Sequence, residues 1–195
     1  SDDFAAEDIL VPETHLLARD DQSTRICSAP LYAFPATSLY ATGFAGTALG
    51  VARGVLEAFI ETVAEKIPRA QTHKLRDNNA IQADVGRSQG RLAAAHAFLK
   101  QEITEIWEAV CISGTLSIDQ RMRIRLSSTY AIHEAKTVVD TLYDHAGATA
   151  IFSSSPFERR FRDIHTISQQ IQGRQLHFQT VGSFLLGNEP DLRLV

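Results

Sequence analysis

Beyond Ala36 the apolar side chains recur every three or four positions, and this spacing limits what the chain can become more than any other feature. That is the period of a helix with one buried face. Ala45, Leu49, Ala52, Val55, Leu56, Phe59 and Val63 make one such stripe, predicting a helix from about Ala36. Ile81, Val85, Leu92, Ala95, Phe98, Leu99, Ile103, Ile106, Trp107 and Val110 make a second, from about Asn79 to Ile112, with Gly114 as its stop. Ser117-Ile118-Asp119-Gln120 has the form of a capping box and opens a third helix reaching about Ala146, where Gly147 ends it. Ser155-Pro156-Phe157-Glu158 opens a fourth: a serine cap, a proline in the first turn and a glutamate three residues after the cap. Four long helices with short connections predict an all-α fold, an antiparallel (up-and-down) four-helix bundle over residues 34–195. Gly43, Gly46, Gly50 and Gly54 each weaken the first helix by roughly 1 kcal/mol relative to alanine. Their spacing reads as close helix packing, with approach of a ligand as the other reading.

Residues 1–33 have a different character. Phe4 to Pro12 is a short apolar run closed by proline, which reads as one strand and a turn. A lone strand cannot pair its own backbone groups, so its sheet is expected outside this chain. The acidic start, Ser1-Asp2-Asp3-Phe4 without a methionine, reads as a cut or processed end rather than a signal peptide.

Several function classes find no support. The net charge of -4 gives no reason to expect nucleic acid or an anionic membrane as partner. No uninterrupted apolar run reaches the roughly 18 residues of a membrane span. Cys27 and Cys111 form no metal or redox spacing, so two buried free thiols in a reducing cytoplasm are expected. Histidine pairs at metal-ligand spacing, phosphate-binding glycine loops and the G-x-S-x-G nucleophile turn are all missing from the sequence, and no metal site is expected.

The densest polar cluster runs from Phe157 to Thr166. Glu158 with Arg162, and Arg159 with Asp163, stand four apart and can pair along a helix. Phe161 and Ile164 flank Arg162 and Asp163 with apolar surface, so a buried role is expected for those two. His165 is the best single candidate for chemistry, because histidine is the side chain that exchanges protons most readily near neutrality. Phe152, Phe157, Phe161, Phe178 and Phe184 are read as core residues first and as lining of an aromatic pocket second.

Arg159 to Thr166 resembles the R-x-F-R-D-x-H-T signature of flavin-dependent hydroxylases built on the acyl-CoA dehydrogenase fold. These include 4-hydroxyphenylacetate hydroxylase oxygenase components, steroid-phenol hydroxylases and dibenzothiophene monooxygenase. Ser1 to Pro12 is similar to the end of that family's middle β-domain, Leu49 to Gly54 to its L-G-x-A-R-G, and Gly182 to Gly187 to its G-x-x-L-L-G. The resemblance implies an N-terminal helical domain, a middle β-domain ending within residues 1–33, and this C-terminal bundle, usually joined into a homotetramer or dimer. It places FMN or FAD between the β-domain and the bundle. His165 would face the flavin ring and the substrate, with Arg162, Asp163, Thr166 and Gln169 as cofactor-binding residues. A second family histidine falls where this chain has Gln169-Gln170. The activity implied is that of a two-component monooxygenase, with a separate NAD(P)H-dependent flavin reductase supplying reduced flavin and an aromatic or similarly apolar substrate taking oxygen from O2.

One departure separates the branches. The short-chain acyl-CoA dehydrogenases carry a catalytic glutamate eight residues after the matching aspartate. Here that position is Ile171, between Gln170 and Gln172, and none of the three can act as a base. Glu57, Glu61 and Glu134 are the places to look for a base supplied from another helix. Thioester dehydrogenation is therefore the second reading, and an inactive helical assembly domain the third.

Overall fold

The computed structural model describes residues 3–16, 21, 23, 25–69 and 72–195. Among these described residues five α-helices follow one another: α1 Ala36–Glu65, α2 Asn79–Ser113, α3 Ile118–Ala146, α4 Pro156–Gln169 and α5 Leu176–Leu185. Their ends lie where local chemistry puts them. Asn78 Oδ1 accepts from the backbone N–H of Ala80 and Ile81 at the start of α2. Ser117 and Gln120 complete a reciprocal capping box on α3. Gly114 closes α2 in the left-handed conformation at φ 70°, which a side chain would resist.

Cross-helix contacts set the directions. Asp84 meets His145 at 2.9 Å, Arg91 meets Glu134 at 2.6 Å, and Arg123 reaches Glu102 and Glu105 at 2.5 and 2.6 Å. Numbers rise along α2 as they fall along α3, so the two are antiparallel. α1 and α3 run in the same direction: Arg125 Nη2 donates to the Thr37 carbonyl near their starts, and Lys66 Nζ donates to the Ala146 carbonyl at their ends. α4 returns against both, with Phe157 edge-on to Phe59 and Arg160 across Gly54. The result is an up-and-down bundle in which α1 and α3 form the central pair, flanked by α2 and α4.

The core explains that pairing. Ala45, Ala48 and Ala52 of α1 pack in one cluster with Ala131, Ile132, Ala135, Val138, Val139 and Leu142 of α3, all fully buried. Alanine adds little bulk, so the two backbones approach closely, and each buried Ile, Leu or Val contributes roughly 1.5–3 kcal/mol. α1 is apolar enough by composition to cross a bilayer, yet its buried residues are spent on this core.

Three expectations are corrected. The close packing on α1 comes from its alanines, not its glycines: a Cβ at Gly43, Gly46 or Gly50 would meet nothing within 4 Å. Gly46 and Gly50 instead line an open groove between α1 and α2, and only Gly54 is approached, by the Arg160 guanidinium. The fourth helix is short. It stops at Gln169, passes through a 3-10 turn at Ile171–Gly173, and resumes as α5. Gly173 fits there because a Cβ would lie 2.6 Å from the Ile167 carbonyl oxygen. The strand expected over Phe4 to Pro12 was to pair with a sheet outside this chain; among the described residues that segment is unpaired, with Phe4, Ile9 and Leu10 exposed. Finally, Cys27 and Cys111 are both exposed, Cys27 in the extended segment before α1 and Cys111 on the outer face of α2 beside buried Val110.

Two further contacts close the ends of the bundle. Phe34 stacks on Trp107 with ring centroids 6.1 Å apart, pinning the chain ahead of α1 to α2. The Val195 carbonyl accepts from Thr37 Oγ1 and Arg121 Nε, each at 3.1 Å, while its side chain joins Met122 and Val181.

Glycine substitutions test this arrangement. Gly173→Ala should destabilise the chain by roughly 1–3 kcal/mol, because backbone rather than a flexible side chain must move. Gly46→Ala should stabilise it by about 0.5–1 kcal/mol, the ordinary helix-propensity gain. Urea unfolding midpoints check both signs.

Candidate functional site

Where α3 and α4 cross, five side chains meet. Lys136, Asp140 and Tyr143 share one face of α3 by their spacing of four and three; Phe161 and His165 share one face of α4. His165 Nε2 lies 2.9 Å from Asp140 Oδ1, and Lys136 Nζ donates to Asp140 Oδ2 at 2.5 Å. The Phe161 ring sits between Tyr143 and His165, with centroids at 4.2 and 4.4 Å. The His165 ring thus has an aromatic wall on one side and a carboxylate at one nitrogen. Its side chain is 36% exposed and that of Asp140 34%, so the group opens to the surface.

His165 shares one helical face with Arg162 and Gln169, three before and four after it, and Thr166, four after Arg162, borders that stripe. All three neighbours are exposed. Arg162 grips Glu158 through Nε at 2.5 Å and Nη2 at 3.1 Å, which holds the Glu158 carboxyl below its usual range. Thr166 Oγ1 donates to the Arg162 carbonyl. Asp163 lies beside the stripe, 3.7 Å from Arg159. The expected burial of Arg162 and Asp163 is overturned: Phe161 and Ile164 turn inward, and the helical twist carries the two residues between them outward.

Gln169 borders a polar cleft of about 530 Å³ between α3 and the α4–α5 break, together with His133, Lys136, Arg174 and Phe178. Two histidines hold that break in place. His133 Nε2 donates to the Gly173 carbonyl at 2.9 Å, and buried His177 Nε2 donates to the Ile171 carbonyl at 2.7 Å. Gln172 is buried too, accepting from Arg125 Nη1 at 2.7 Å. Arg125 is itself 1% exposed, and burial pushes its pKa down to about 10, which leaves it a cation at neutral pH.

The candidate bases for thioester chemistry are scattered. Ile171 is exposed, Gln170 caps the 3-10 turn and Gln172 serves Arg125. Glu57 and Glu61 lie on the outer side of α1, Glu57 paired with Arg53; Glu134 borders the cleft but is tied to Arg91. Among the described residues, no three His, Cys, Asp or Glu side chains gather as a metal site would require. Of the expected aromatic set, Phe157 is core, Phe161 backs His165, Phe178 packs on His133, Phe184 joins the Met122 cluster, and Phe152 is exposed.

Sequence reasoning missed Lys136, Asp140 and Tyr143. Their common helical face was readable from spacing, but their meeting with His165 depends on the α3–α4 crossing.

The chain belongs to the acyl-CoA dehydrogenase C-terminal domain family, whose profile matches residues 42–174. Among characterised relatives, the chain is 24% identical to an indole-3-acetate monooxygenase of Acinetobacter baumannii over 190 residues, covering 97% of this chain and 48% of that protein. It is 28% identical to the oxygenase component of p-hydroxyphenylacetate 3-hydroxylase from the same species, covering 83% of this chain and 38% of the relative. The fold matches the solved structure of XiaF from Streptomyces in complex with FADH2 and glycerol, with TM-score 0.77, 20% identity, and coverage of 86% of this chain and 43% of that one. The chain therefore spans less than half the length of these proteins.

His177 supplies a pH test. Burial pushes its imidazole below the ordinary value of 6.5, with the Ile171 carbonyl opposing. The unfolded chain then takes up a proton more readily than the folded one. Stability should be complete above that ordinary value and fall as pH drops below it. Urea midpoints at about pH 7.5 and about pH 5.5 should differ in the wild type, and less in His177→Gln, which cannot titrate.

Proposed function

We propose that this chain is the C-terminal bundle of the oxygenase component of a two-component flavin-dependent monooxygenase acting on an aromatic or similarly apolar substrate. The observation that carries the reading is the His165 group: a histidine backed by Phe161 and held by Asp140, on an exposed stripe of hydrogen-bonding side chains that this chain leaves uncovered. Such a stripe suits a planar cofactor clasped between the bundle and a second domain, for which residues 1–33 would be the tail of a β-domain. Arg162, Thr166 and Gln169 would contact the flavin, with Asp163 orienting the turn beside them. The FADH2 held by one structural relative makes FAD the first cofactor to try and FMN the second.

Reduced flavin, delivered by an NAD(P)H-dependent reductase, supplies the two electrons by which O2 puts one oxygen atom into the substrate and releases the other as water. His165 would accept the substrate's phenolic proton while the Phe161–Tyr143 wall excludes water from one side. The cytoplasm and a homo-oligomer, tetramer or dimer, are the setting this reading implies. Dehydrogenation of a thioester ranks second, because the position for its base holds Ile171.

In the full-length protein, His165→Ala should lower product formation from a phenolic substrate by roughly 10²–10⁴-fold, with flavin affinity held within a few-fold. Product chromatography and flavin titration read the two quantities. Unchanged turnover would remove His165 from the mechanism, and reduction of the flavin by an acyl-CoA would move the protein to the second reading.

A further inference from the structure

We infer that Asp140 is a positioning residue that sets which nitrogen of His165 carries the proton, and that Lys136 sets which way Asp140 is read. The inference rests on the reading of His165 as the proton acceptor. Its logic is a matter of donors and acceptors. Lys136 Nζ can only donate, and it faces Asp140 Oδ2 at 2.5 Å. The other oxygen, Oδ1, faces His165 Nε2 at 2.9 Å, and a carboxylate only accepts. A neutral His165 must therefore carry its proton on Nε2. Nδ1 makes no hydrogen bond among the described residues, which leaves it as the unprotonated nitrogen. The Ser168 hydroxyl bonds the His165 carbonyl and Phe161 lies against the ring, so the backbone and one ring face are held while the carboxylate holds one edge. Nδ1 is then the atom that takes a proton from substrate.

The same geometry makes an unusual demand on Asp140→Asn. The amide has one acceptor and one donor end. Lys136 requires the acceptor, so the amide oxygen must turn toward Nζ and the NH2 toward His165. Facing a donor, Nε2 has to give up its proton, and the proton moves to Nδ1. The variant should be a tautomer inversion at nearly constant shape, the kind of change that disables a histidine base without displacing it. Lys136→Met combined with Asp140→Asn should undo it: without the ammonium the amide is free to turn its oxygen to the ring, restoring the proton to Nε2.

Long-range proton–nitrogen NMR of the His165 ring, on the alkaline plateau of its own titration, reads the tautomer directly in this chain. The expected result is an unprotonated Nδ1 in the wild type, an unprotonated Nε2 in Asp140→Asn, and an unprotonated Nδ1 again in the double variant. In the full-length protein, product formation should fall by roughly 10²–10⁴-fold in Asp140→Asn and recover most of that loss in the double variant. A structural defect would not be rescued by a second substitution. Retention of the Nε2 proton in Asp140→Asn, with the other histidine signals in place, would overturn the inference while leaving His165 open as the base. An inverted tautomer beside full activity in His165→Ala would instead uphold the positioning and sink the catalytic reading.

Discussion

Along α1 and α3, small side chains remove the volume that ordinarily holds two helices apart. Ala45, Ala48 and Ala52 let α1 settle against Ala131 and Ala135, and the larger Ile132, Val138, Val139 and Leu142 fill the space to either side. Everything else is arranged around that contact. Because α3 runs through the middle, it has faces left for α2 on one side and α4 on the other, and its polar residues are sorted accordingly. Arg123, Glu134 and His145 pair with α2, whereas Asp140 and Tyr143 meet α4. The candidate site exists because one buried helix serves four neighbours, α5 being the fourth through Phe178 on His133.

The second constraint is the break between α4 and α5. A continuous helix would carry the chain past the end of the bundle. Instead Gly173 allows the backbone to fold within contact of Ile167 and Ser168, and His133 and His177 take the carbonyls that the interrupted helix leaves without partners. Gln172 turns inward to meet Arg125, whose buried guanidinium also reaches the start of α1. This cation so far from water keeps uncharged acceptors at Nη1 and Nη2 while its Nε has no partner, and its pKa is lowered by burial. This polar knot shapes the cleft beside Gln169 and ends α4 one turn beyond His165.

Three departures from the sequence expectation share one physical cause. Phe161 and Ile164 anchor α4 to the core, and the helical twist turns Arg162 and Asp163 between them outward despite their apolar neighbours. The α1 glycines have the spacing of a packing motif, but the alanine row is the contact face. Cys111 follows buried Val110 in sequence, and the helix turns it about 100° away, into solvent. In each case residue type was informative, and the direction of the side chain was not.

Periodicity, caps and stops determined where α1 and α4 begin and both ends of α2 and α3, because hydrogen bonds within four residues and a one-sided apolar face are local properties of the chain; the stop of α4 at Gln169 and the separate α5 were not legible there. The Glu158–Arg162 and Arg159–Asp163 pairs were legible for the same reason. The partner of His165 was not. Asp140 is separated from it by a turn and most of a helix, and nothing within four residues of either names the other. Only the packing of α4 on α3 brings that carboxylate to the ring. Packing is decided by the summed burial of side chains from four helices, a quantity that no short window of sequence contains.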